Sequence, residues 1–242
     1  YESDIVPFKP KADIVLVGSA WAPGNQPVAS LDVTLTVGRT SKTITVFGNR
    51  YWNHKAVLSR RYTITDPKPF TRRPIRYSDA FGGIDPSTGR FCPENLSGKG
   101  FFSGKTTAKI AGRPLPCIED PQNLIKSITD HPKPVGFGFY QRAWQPRAAF
   151  AGTYDQSWQE NRSPLPPADF YPGFYNGAHP DLQVDGYLRG DESVELTHLT
   201  PRAKEQFSLP AIDMHCWVQR HQTDPYEPVE EQTVNMKLDT LF

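Results

Sequence analysis

Proline stands at 24 of the 242 positions, about twice its usual ~5% share. Each one removes a backbone donor and blocks a helix interior, which confines the chain to short strands and many ordered loops. A helical bundle is excluded. The clearest strand signal is Leu31-Asp-Val-Thr-Leu-Thr-Val37, where Leu31, Val33, Leu35 and Val37 alternate with Asp32, Thr34 and Thr36. A period of two marks a strand with one buried face. After Gly38-Arg39-Thr40-Ser41 the alternation resumes over Lys42–Phe47, so the two runs form an antiparallel hairpin.

Further strands are expected over Asp13–Val17, Ala56–Thr65, Val184–Leu188, Ser193–Leu199, Glu205–Leu209 and Ile212–Gln219. Asp66-Pro67-Lys68-Pro69 ends the second of these, since proline pushes its neighbours out of regular structure. Asp120–Ile128 reads as a short helix, with Asp120 as N-cap, Pro121 at the first position and Leu124, Ile125 and Ile128 on one face. A second short helix covers Asp155–Asn161 and presents Trp158. Six glycines between Gly82 and Lys105 mark a long loop, and Pro164–Pro180 has no readable regular structure. The expected fold is mostly β: antiparallel sandwich- or barrel-like sheets with long Pro/Gly/aromatic-rich loops and a few short helices. No composition shift marks a linker, so residues 1–242 are read as one domain. The chain starts at Tyr1 and stops inside the alternation of Val234, Met236 and Leu238, as a fragment of a longer polypeptide would.

Lys and Arg number 27 against 26 Asp and Glu, a net charge of +1. A protein held to nucleic acid or anionic membranes by charge needs a large basic excess, so neither is expected as a partner. No apolar run approaches the ~20 residues that cross a bilayer. Cys92, Cys117 and Cys216 are too few and too far apart for a disulfide framework or a paired metal site. One of them must stay unpaired, which fits a reducing cytoplasm.

Catalytic and cofactor motifs fail one by one. Ser103-Gly-Lys-Thr106 resembles the end of a phosphate-binding loop, but the glycine required at position 99 is Lys99, and Thr106–Ile110 reads as strand where that loop feeds a helix. His215 and His221 lie about 20 Å apart on an extended strand, and zinc ligands sit at about 2 Å from the metal. His179-Pro-Asp181 is a better-spaced pair without a third ligand. No nucleophile elbow or paired CxxC occurs, and no cofactor or metal is expected. The pairs Arg60-Arg61 and Arg72-Arg73, with Arg76, make a locally basic stretch of which at most one residue per pair serves a common surface. Aromatic residues crowd the loop-like sequence instead: Phe101-Phe102, Phe137–Tyr140, Trp144, Tyr154, Trp158 and Phe170–Tyr175. Most are expected to pack as a second core under long loops. Those beside charge are the usual anchors of protein interfaces, and Trp144, Arg147, Tyr154, Asp155, Trp158 and Arg72 are the candidate partner-binding residues.

A family resemblance adds to this reading. It is carried by Glu2-Ser-Asp, Pro7-Phe-Lys-Pro-Lys-Ala-Asp-Ile-Val-Leu-Val-Gly18, Ala20-Trp-Ala-Pro-Gly24, Val46–Trp52, Ala80-Phe-Gly-Gly83, Gly136-Phe-Gly138, Ala151-Gly-Thr-Tyr-Asp155 with Trp158, Asp169-Phe170 and Leu188-Arg-Gly190. In order and spacing these residues resemble a bacterial family of unknown function encoded in type VI secretion loci, near spike proteins and toxins. The one departure is Asn95-Leu96, where the family usually has proline after the asparagine. The resemblance implies a cytoplasmic adaptor or chaperone that binds an effector toxin and helps load it onto the secretion spike, without catalysis. Substituting Trp144 or Trp158 by Ala is then expected to weaken that complex without unfolding the chain. The competing readings are a cell-wall- or carbohydrate-acting hydrolase, with a carboxylate pair under the glycine-rich loop, and a carbohydrate-binding module.

Overall fold

A computed structural model describes residues 9–54, 62–104, 110–211, 213–219 and 231–242. In chain order the strands are β1 (Lys11–Ile14), β2 (Ser19–Trp21), β3 (Ser30–Val37), β4 (Thr40–Phe47), β5 (Trp52–His54), β6 (Tyr62–Ile64), β7 (Arg72–Pro74) and β8 (Phe81–Gly82). They continue as β9 (Lys99–Gly100), β10 (Ile118–Glu119), β11 (Gln183–Asp185), β12 (Ser193–Thr197), β13 (Lys204–Ser208), β14 (His215–Gln219), β15 (Glu231–Asn235) and β16 (Thr240–Leu241). The helix α1 spans Gln156–Asn161. With 35% strand and 11% helical residues among those described, the chain is mostly β, as the proline content demands.

The β3–β4 hairpin organises the fold. Its register runs from Ser30 opposite Phe47 to Val37 opposite Thr40, so the turn is only Gly38-Arg39, two residues shorter than the sequence suggests. Gly38 has φ +56°, a conformation that L side chains resist. One face buries Val33, Leu35, Val37, Ile44 and Val46. The other carries a polar ladder: Thr34 and Thr43 hydroxyls at 2.8 Å, Thr36 and Ser41 at 2.8 Å, and Thr45 donating to Asp32 at 2.6 Å. That division is the alternation read directly from sequence.

Strands β10, β4, β3, β12 and β13 form an open antiparallel sheet in that order. A second sheet, β11-β1-β16, pairs β1 antiparallel with β11 and parallel with β16. The two share one core containing Ala12, Ile14, Val33, Ile44, Ile118, Phe137, Trp144 and Val194. Among the described residues no sheet closes into a barrel. A smaller cluster of Trp52, Phe81, Phe102, Leu115 and Ile125 lies under the glycine-rich loop. The expected second aromatic core is therefore real but smaller, since Phe137, Tyr140 and Trp144 belong to the first.

Several expectations shift. The strand expected over Ala56–Thr65 survives as β6, with 55–61 outside the described residues. Arg60 and Arg61, His221 and the Thr106–Lys109 stretch also lie outside them. The helix expected over Asp120–Ile128 does not form. Carboxylates take donors of its ladder: Glu119 accepts from the Ile125 N–H at 2.8 Å, and Asp130 from those of Lys126 and Ser127 at 2.9 and 2.8 Å. With those amides held, the i→i−4 ladder has too few donors left. The helix expected over Asp155–Asn161 does form, with Asp155 accepting from the Trp158 N–H at 2.8 Å as its N-cap.

Residues of the family pattern pin the fold at long range. The Asp13 carboxylate is fully buried and accepts from the backbone N–H of Gly177 at 2.9 Å and Ala178 at 3.2 Å, and from the Asn176 side chain at 3.0 Å. Lys9 completes the site, donating to Asp13 at 3.2 Å and to the Thr240 hydroxyl at 2.7 Å. Gly82 and Gly83 exist for closeness: a Cβ on Gly82 would overlap the Asn95 carbonyl oxygen, and one on Gly83 that of Gly98. Asn95, itself fully buried, donates to the carbonyls of Tyr77 at 2.8 Å and Phe81 at 3.0 Å. Leu96, beside it in the chain, is exposed and takes no part in this clamp.

On the buried row of β4, Lys42 donates to Asp181 at 2.6 Å. The Asp181 N–H donates to His179 Nδ1 at 3.2 Å. Burial, reinforced by the Lys42 charge, pushes the His179 imidazole down to about 4. Above pH ~6.5 the ring is neutral whether the chain is folded or not. Between 6.5 and about 4 the unfolded chain takes up a proton that the folded one refuses, so stability is lost as the pH is lowered through that window. The expected loss is roughly 2–3 kcal/mol. In His179→Asn, whose carbonyl can accept the same bond, the slope between those pH values should flatten in urea titrations. An unchanged slope would show that His179 titrates normally.

Candidate functional site

Residues 152–170 form an excursion closed at its neck. The Tyr171 N–H donates to the Phe150 carbonyl at 3.0 Å, and the two rings meet edge to face with centroids 5.1 Å apart. One turn further out, Thr153 donates to Asp169 through its N–H at 2.9 Å and its hydroxyl at 2.8 Å. These bonds hold the Asp169 carboxyl below the usual carboxylate range. Gly152, at φ +80°, makes the neck possible, because a Cβ there would meet Asp169 at 2.8 Å.

Inside the neck the segment satisfies its own backbone. Asp155 starts α1, the Trp158 indole N–H donates to the Leu165 carbonyl at 2.8 Å, and Arg162 Nε donates to the Pro166 carbonyl. Loops of this kind, packed by their own side chains, hold a defined shape away from the core. Large apolar side chains are left outward among polar ones: Tyr154 is 59% exposed, Leu165 61% and, at the neck, Tyr171 55%. Tyr154 stands edge to face on Trp158, centroids 4.7 Å apart at 69°.

The structure thus brings together three of the six candidate residues, Tyr154, Asp155 and Trp158. Arg72 lies on a different element, β7, where it donates to the Ser19 hydroxyl at 3.3 Å and stacks over the Trp21 ring at 4.6 Å. Its neighbour Arg73 points the other way, to Asp79 at 3.3 Å, as strand geometry requires. Trp144 and Arg147 are corrected. Trp144 is 2% exposed and packs in the main core against Tyr77 and Tyr140, both at 5.3 Å. Arg147 is buried and donates to the carbonyls of Phe174 at 2.7 Å and Tyr140 at 2.6 Å. Side chains closed off from solvent offer no surface to a partner. Arg147 instead ties the chain just before the excursion to the chain just after it.

Sequence reasoning missed a second exposed surface. Every residue of strands β14 and β15 is exposed, and their register puts Cys216 opposite Val234 and Val218 opposite Gln232 on one face. Met214 and Met236, joined by a backbone bond at 2.8 Å, flank it, and Trp217 on the opposite face is 72% exposed. The strand expected over Ile212–Gln219, seen as β14, and the alternation of Val234 and Met236 are its sequence signals, but neither shows that the face is exposed.

Under the glycine-rich loop lies a cavity of about 240 Å³ lined by Trp52, Ile84, Phe101, Phe102, Ile110 and Ile128, with Lys99 and Arg113. No carboxylate is among its described lining residues. Lys99 is paired with Asp79 at 2.5 Å and Arg113 with Asp85 at 3.1 Å. Asp85 is buried and also accepts from Ser87 and Ser103; these bonds hold its carboxyl ionised far below the usual range against the cost of burial. Burial pushes the Cys92 thiol up to about 11, which makes it a poor nucleophile. Among the described residues no group of three His, Cys, Asp or Glu side chains could hold a metal ion. No described helix is long and apolar enough to cross a membrane.

A family model described as an uncharacterized protein conserved in bacteria (DUF2169) matches residues 1–242. No curated protein and no solved structure matches the chain.

Proposed function

This chain belongs to that family of bacterial proteins, and we propose that it acts as a type VI secretion adaptor, binding an effector toxin and helping to load it onto the spike. The observation that carries this reading is the excursion at residues 152–170, where Tyr154 and Leu165 are held out of the core on a loop that satisfies its own hydrogen bonds. Exposed aromatics on a rigid support are what protein interfaces use as anchors. The apolar face of the β14–β15 hairpin supports the same reading, because an adaptor needs room for two partners. The pattern residues Gly152, Thr153, Asp155, Trp158 and Asp169 all serve to shape the excursion, and that concentration supports the reading.

Affinity purification of the full-length protein from its native bacterium, followed by mass spectrometry, tests the proposal. One toxin recovered together with the spike protein is the expected result. Recovery of neither, from cells that express both, would overturn it. Tyr154→Ala should leave stability within about 0.5 kcal/mol, as an exposed side chain does, while weakening capture of one partner about tenfold or more.

A further inference from the structure

We infer that the outer side of the excursion is a receptor notch for an arginine side chain of the bound partner. This inference rests on the adaptor reading for the identity of the partner, but its chemistry is local. Tyr154, Asp155, Gln156, Trp158, Gln159 and Glu160 line an open notch of about 560 Å³. Two aromatic rings held edge to face form one wall. Each carboxylate keeps one oxygen unused. Asp155 spends Oδ1 on the Trp158 N–H at 2.8 Å, and Glu160 spends Oε1 on the Gln156 side chain at 2.7 Å, while neither second oxygen has a hydrogen-bond partner among the described residues.

Charge decides the occupant. Residues 152–171 carry Asp155, Glu160 and Asp169 against Arg162 alone, and Arg162 is turned to the Pro166 carbonyl. A cation is attracted by both the ring faces and the carboxylates, whereas an anion meets neither. A guanidinium suits this wall better than an ammonium. It is planar, stacks on aromatic faces, donates to carboxylates in a fixed fork and is less strongly hydrated.

The test uses the full chain and two short capped glycine-serine peptides, one carrying two arginines and the other two glutamines. Binding is read from the NMR shift of the Trp158 indole N–H, assigned with Trp158→Phe. The arginine peptide should shift that resonance saturably at low salt and the glutamine peptide should not. Asp155→Asn with Glu160→Gln removes both charges but keeps the helix cap and the Gln156 bond, and should weaken binding about tenfold. Equal shifts with both peptides, no shift with the arginine peptide, or undiminished binding by the double variant would each overturn the notch. Partner capture separates the two ideas. If the double variant retains the toxin and spike that wild type captures, the notch fails and the adaptor stands. If the arginine peptide binds as expected but wild type captures neither protein, the adaptor fails and the notch stands.

Discussion

Trp144→Ala should cost the fold about 3–5 kcal/mol, the range for emptying a buried aromatic site. The indole is at the centre of an aromatic triad: Tyr77 and Tyr140 stand edge to face on it at 5.3 Å each and on each other at 5.5 Å. Removing it takes away the shared ring and leaves a cavity that Tyr140 cannot close without losing its own bonds. Tyr140 is anchored through its hydroxyl to the Gln145 carbonyl at 3.0 Å, and its backbone N–H to Gly177 at 2.6 Å. The melting temperature should fall by about 10 °C, given some 2–4 °C per kcal/mol for a chain of this size. Trp144→Phe refills part of the space and should recover a third to a half of the loss. Thermal and urea unfolding of the two variants beside wild type measure this. A Trp144→Ala protein as stable as wild type but unable to bind its partners would return this residue to the surface, where sequence alone had placed it.

That misplacement follows from what a sequence can encode locally. The β3–β4 hairpin was legible because burial there repeats every second residue, so the pattern is the structure. The cap of α1 was legible because Asp155 and the donor it accepts from, the Trp158 N–H, are three positions apart. Trp144 sits in irregular backbone between Gln141-Arg142 and Pro146-Arg147, where no period distinguishes inward from outward. The false helix at Asp120–Ile128 fails for the opposite reason. Its local signals were sound, but the carboxylates of Glu119 and Asp130 compete for the same amides. Asp13 was invisible as a structural centre because its partners, residues 176–178, lie far along the chain. In the candidate site, the loop-shaping residues were readable as a family pattern. The neck at Phe150–Tyr171 and the exposed β14–β15 face were not, since both depend on pairings between distant positions.

Glu119→Ala should be as damaging as the loss of Trp144, about 3–5 kcal/mol, because it strands a buried cation. Arg50 and Glu119 are both buried, and the guanidinium meets Oε1 of the carboxylate directly. Burial pulls each toward its neutral form, Arg50 downward and Glu119 upward, and their contact opposes that pull in both. Arg50 also donates to the Pro116 carbonyl at 3.3 and 3.2 Å and lies 3.7 Å over the Phe47 ring. Oε2 of Glu119 reaches the other way, accepting from the Ile125 N–H at 2.8 Å. Glu119 therefore links the sheet edge at β10, whose Ile118 belongs to the main core, to Ile125 of the smaller core. Replacing the pair with hydrophobes, as in Arg50→Met with Glu119→Met, removes the stranded charge but leaves the Ile125 N–H and the Pro116 carbonyl without these partners. The double variant should thus be more stable than Glu119→Ala yet still short of wild type by about 1–3 kcal/mol, the desolvation cost of such groups. Urea unfolding of Arg50→Met, Glu119→Met and the double variant completes a thermodynamic cycle, and independent, additive losses would show that the two side chains do not act as a pair.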